Sequence, residues 1–71
     1  MFKYNKETIF NIKRFKEGKE ELQIVIIIAR MDAINNPDRY MVQDYEEFKE
    51  EGYRFDKGEW KYEKDLIPIN N

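Results

Sequence analysis

The stretch Leu22-Gln23-Ile24-Val25-Ile26-Ile27-Ile28-Ala29 constrains this chain more than any other. Its five consecutive β-branched residues, Ile24 to Ile28, lose χ1 freedom on a helix and pack well on a pleated surface. Extended, Leu22, Ile24, Ile26 and Ile28 point one way, and Gln23, Val25, Ile27 and Ala29 the other. Both sets are apolar near the middle, which predicts a central strand covered on both faces. A helix from Glu20 to Ile34 is the competing reading. Ile24, Ile27, Ile28, Met31 and Ile34 form a stripe at helical spacing, and "RMDAINN" has no strand character.

The preceding segment, "NKETIFNIKRFKEG", also reads two ways. As a helix it has Asn5 as N-cap, Ile9, Ile12 and Phe15 on one stripe, and Gly18 just past the end. As a strand it has Thr8, Ile9, Phe10, Ile12 and Phe15, with "KEGKE" as a tight turn into the isoleucine run. The strand reading joins residues 8–31 into one long hairpin, and it is the reading adopted.

Beyond the isoleucines, "NNPD" breaks the pattern, since Pro37 pushes Asn36 toward extended geometry. "RYMVQ" reads as a short strand. Asp44 and Glu47 then stand at capping-box spacing, and Gly52 stands where a helix would end. A two-turn helix over 45–51 follows, with Tyr45 and Phe48 facing the core. The tail "YRFDKGEWKYEKD" reads as a second hairpin turning at Asp56-Lys57-Gly58. A three-residue loop with Gly58 left-handed would put Tyr53 and Phe55 on the face opposite Trp60 and Tyr62. A Lys57-Gly58 turn would put all four rings on one face, and one-sided burial favours that register. After Asp65, "LIPIN" is extended, and Pro68 limits it to an edge or a tail. The expected fold class is therefore α+β: a single domain over 1–71, an antiparallel sheet of hairpins with one short helix.

A chain of 71 residues makes one domain at most, and it buries only about 60% of its unfolded surface. No cysteine is present to staple it, which fits a reducing compartment. The longest apolar run, Ile24 to Ala29, is six residues, against roughly 20 for a membrane-spanning helix. "MFKYNKETIF" lacks the apolar region of a signal peptide, so a cytoplasmic location is expected. The abundance of Ile, Asn, Lys, Tyr and Phe is that of AT-rich coding sequence, as in a low-GC bacterium or its phage.

The chain has no histidine, cysteine or serine, which removes the usual nucleophile-base pairs and the usual zinc ligands. Its three isolated glycines form no phosphate loop. The adjacent carboxylate pairs Glu20-Glu21, Glu46-Glu47 and Glu50-Glu51 point apart on a helix or a strand, so none converges on one site. No catalytic residue, metal site or cofactor is expected, and the chain reads as a non-enzyme.

Charge is unevenly spread. Residues 1–19 hold six basic and two acidic residues, net +4; residues 20–71 hold seven basic and thirteen acidic, net −6. In the helix, Glu46 and Glu47 suit the first turn, whereas Glu50 and Glu51 in the last turn oppose the macrodipole. Acids placed against the local preference, next to Trp60 and Tyr62 of types enriched at hot spots, point to a partner surface. Glu46, Glu47, Glu50, Glu51, Trp60 and Tyr62 are thus the expected partner-binding residues, and another protein the expected partner. A phage-type or mobile-element inhibitor or regulator of a host protein is one concrete form. Two alternatives remain. The basic N-terminal third, with Lys13, Arg14 and Lys16 among aromatics, could serve nucleic acid, although the −6 elsewhere works against it. The other is self-association, with a homodimer completing a small core. No membrane partner is expected.

Overall fold

The computed structural model describes residues 3–32 and 38–69. The strands are β1 (Ile9–Lys16), β2 (Lys19–Met31), β3 (Arg39–Asp44), β4 (Glu59–Tyr62) and β5 (Ile67–Pro68). One α-helix, α1 (Tyr45–Glu51), and two 3-10 turns, Phe55–Lys57 and Glu63–Asp65, complete the elements. All strand pairs are antiparallel, in the order β4-β3-β2-β1-β5. The fold is thus a small α+β domain, and β2 is its central strand.

The hairpin over β1 and β2 forms as its residues indicate. Glu17 and Gly18 both have positive φ, 53° and 78°, and form a two-residue turn that leaves Lys16 opposite Lys19. The helical reading of residues 20–31 is excluded by this pairing; Ile34, Asn35, Asn36 and Pro37 lie outside the described residues.

The sheet must curl. β4 and β5 occupy opposite edges, which a flat five-strand sheet would hold about 19 Å apart. Five Cα steps join Tyr62 to Ile67, at most about 18 Å fully extended. Three of the residues between them form a 3-10 turn, rising only about 2 Å each. The edges are therefore drawn toward each other, and Arg14 of β1 reaches Glu59 of β4 although two strands lie between them in the sheet. A register shift between Ile27 and Ala29 adds local twist.

The concave face holds the main core: Phe10, Ile12, Val25, Ile27, Tyr40 and Val42, with Leu66 from the returning chain. Tyr4 packs edge-on against Phe10 at 4.5 Å, and the Tyr40 hydroxyl accepts from the Lys3 and Tyr4 backbone N–H groups. On the other face Ile26 and Ile28 are also buried. They lie under α1, which packs on β2 and β3, and under the segment entering β4. Double coverage of the isoleucine run is therefore real, but only over 25–28. Leu22 and Ile24 stand 59% and 47% exposed, because β3 pairs with β2 only from Val25 onward and leaves the hairpin projecting.

The second hairpin does not form, in either register. Tyr53 and Phe55 lie outside any strand, and β4 pairs with β3 instead, Met41 opposite Trp60 and Arg39 opposite Tyr62. β3 is fixed over the core by Tyr40 and Val42, and its free edge takes β4 with Lys61 and Glu59 opposite them and the rings of Trp60 and Tyr62 on the other face. Gly58 is correspondingly not left-handed: its φ is −81°.

Candidate functional site

The helix is built by its caps. The Asp44 carboxylate accepts the Glu47 N–H at 3.0 Å, and its other oxygen accepts from the Gln23 amide at 2.9 Å. The Glu47 side chain does not return to Asp44; it accepts from Gln43 and pairs with Lys57 at 3.1 Å. At the far end the Gly52 N–H donates to the Phe48 carbonyl at 2.8 Å. Its φ of 73° and ψ of −154° form a combination essentially reserved for glycine.

The four helix glutamates divide into two pairs. Glu47 and Glu51 face the segment that follows the helix: Lys57 meets both, and Arg54 meets Glu51 at 2.9 Å. The Glu47 hydrogen bond is the main cause that raises the Lys57 pKa. Arg54 also grips Asp56 through two nitrogens, at 3.1 and 3.0 Å. This bond holds the Asp56 carboxyl below its ordinary value. Glu51 is thus placed against the dipole because two cations meet it there. Glu46 and Glu50 face outward. Glu46 pairs with Lys49 at 3.0 Å, and Glu50 has no ion-pair partner among the described residues.

Trp60 and Tyr62 alternate on β4 with Glu59 and Lys61, and stand 38% and 40% exposed. Arg39 lies over the Trp60 ring at 5.9 Å, and Lys64 over the Tyr62 ring at 6.0 Å. Nearby, Tyr53 and Phe55 stack at 5.8 Å with planes 4° apart, 42% and 56% exposed. Phe48 meets Tyr53 edge-on at 5.2 Å. Partial burial, then the charge of Glu7, pushes the Tyr53 phenol above its ordinary pKa. Gly58 connects the two ring pairs, donating to the Phe55 carbonyl and abutting Met41, the residue opposite Trp60. Trp60 and Tyr62 thus stand as half-exposed rings on the edge strand, each met by a cation, while the acids of α1 are mostly drawn into local pairing.

The basic residues of the hairpin are partly neutralised. Lys13 pairs with Glu20 at 3.4 Å. Arg14 donates to both Glu59 oxygens and to Gln23 at 2.7 Å. Gln43 is the residue that sequence reasoning missed. It is buried, its amide nitrogen donates to the Gly52 carbonyl at 3.0 Å, and its oxygen accepts the Arg54 N–H at 3.0 Å. Its only signal in the sequence is a glutamine following the apolar Tyr40-Met41-Val42 within a strand. Among the described residues no cluster of three metal-ligating side chains occurs, and no helix is long and apolar enough to cross a membrane.

The fold and surface define a small curled-sheet domain with an aromatic edge. No family model, curated protein or solved structure matches the chain.

Proposed function

We propose that this protein is a non-catalytic protein-binding module working in the cytoplasm, and that Trp60 and Tyr62 anchor its partner. The observation that carries the reading is that four rings of one short stretch, Tyr53, Phe55, Trp60 and Tyr62, are left 38–56% exposed, two of them on an edge strand. Large rings in such numbers on a small surface are what interface hot spots are made of. The contact is made by side chains rather than by an added strand, because Asp65 already takes the Tyr62 N–H at 3.1 Å. Glu46 and Glu50 form an acidic margin that orients the partner, whereas Glu47 and Glu51 hold the segment that carries Tyr53 and Phe55. An inhibitor or regulator of a host protein fits a chain without nucleophile-base chemistry, since occupancy of a surface suffices for that role.

The test is capture of a discrete partner from a lysate of the source cells by the immobilised chain. Trp60→Ala with Tyr62→Ala should abolish capture while circular dichroism stays unchanged. Glu46→Lys with Glu50→Lys should only weaken it. Undiminished capture by the ring-deleted variant overturns the reading.

A further inference from the structure

The aromatic edge is not the only open surface. β5 pairs with β1 only at Phe10 and Asn11, so from Ile12 to Lys16 the outer edge of β1 carries no strand among the described residues. The chain leaves that line at Leu66, which enters the core, and the turn at Glu63–Asp65 lies between β4 and β5. A cleft of about 610 Å³ opens beside the bare edge, bordered by Ile67 and by the strand at the buried Ile12, with Lys13, Lys61 and Lys64 around it. Asp65 also lines it, but one of its oxygens is occupied by the Tyr62 N–H. Lys61 and Lys64 have no carboxylate within ion-pair distance among the described residues, and Lys13 is held only by Glu20 at 3.4 Å.

We propose that this edge receives an acidic peptide segment in extended conformation, added as a strand beside β1, with its carboxylates on Lys13, Lys61 and Lys64. A bare strand edge continuous with an existing ladder supplies backbone donors and acceptors in regular alternation. Ile67, partly exposed beside the edge, meets the apolar side chains, and the lysines select acidic ones. Charge disfavours the same edge of a second copy, since Lys13 and Lys16 would meet their own kind and Arg14 is already held by Glu59. Single-stranded nucleic acid fits less well, because the cleft offers aliphatic side chains and no ring for a base to stack on.

The experiment titrates the isotope-labelled full chain, at low salt, with a seven-residue peptide alternating glutamate and valine, followed by amide shifts and hydrogen exchange. Binding should protect outward-facing amides between Ile12 and Lys16. It should weaken by about tenfold or more in Lys61→Gln with Lys64→Gln, whose fold is checked by circular dichroism. Methylation of alternate peptide nitrogens should remove it. Absence of binding, binding indifferent to methylation, or tighter binding of a thymidine heptanucleotide each overturns the proposal.

Discussion

Gln43 and Gly58 show how single residues hold the region between β3 and β4. The Gln43 amide joins the strand to the chain just past the helix, through the Gly52 carbonyl and the Arg54 N–H. Gln43→Leu would keep the volume and strip both partners, at about 1–3 kcal/mol. Urea unfolding should show that loss as a lower midpoint at constant slope. Gly58 is needed for space rather than for conformation: a Cβ there would lie 2.6 and 2.7 Å from the Met41 Cγ and Sδ and 3.2 Å from Ile28 Cδ1. Gly58→Ala should cost about 1–3 kcal/mol by overpacking. In a double-mutant cycle Met41→Ala should reduce that cost, whereas strict additivity would contradict the close approach.

At the scale of elements, α1 and the first hairpin are legible in the sequence, and the pairing of β4 with β3 in place of a second hairpin is not. Local signals suffice where the partners are local. Asp44 caps three residues on, Gly52 bonds four residues back, and a two-residue turn fixes the hairpin register. The turn is also improvable. Glu17 sits at φ 53°, a left-handed angle that asparagine tolerates better. Glu17→Asn should raise the thermal midpoint, by about 0.5 kcal/mol of stability. An unchanged or lower midpoint would contradict the turn geometry. β4 pairs with β3 against the expectation because alternation in "EWKY" says which side chains share a face and nothing about which strand lies alongside.

For the molecule as a whole, stability should depend on pH only at the extremes. Glu63, Glu46 and Glu47 raise the pKa of Lys3, Lys49 and Lys57. Stability from these pairs is fully present below the ordinary lysine value and is lost as pH rises through the raised ones. Asp56 is lowered by Arg54, so its share is present above the ordinary carboxylate value and is lost as pH falls through the depressed one. All four groups are solvent-exposed, so each contribution is small. With no histidine or cysteine in the chain, the urea midpoint should be flat from about pH 6 to 9 and fall shallowly beyond either end. A step inside that plateau would contradict these ion pairs.

The candidate surface was legible in part. Trp60 and Tyr62 were visible as rings in a polar tail, but the division of the helix acids was not, because Lys57 and Arg54 reach Glu47 and Glu51 only once the chain folds back. By itself the sequence determined what depends on neighbours along the chain: the strand character of 25–28, the turn at Gly18, the helix between Asp44 and Gly52, and the missing reactive groups. Tertiary structure decided what depends on closure. The short link between β4 and β5 forces the sheet to curl, the pairing of β4 with β3 decides on which face Trp60 and Tyr62 stand, and the two-residue β5 leaves the rest of the β1 edge bare.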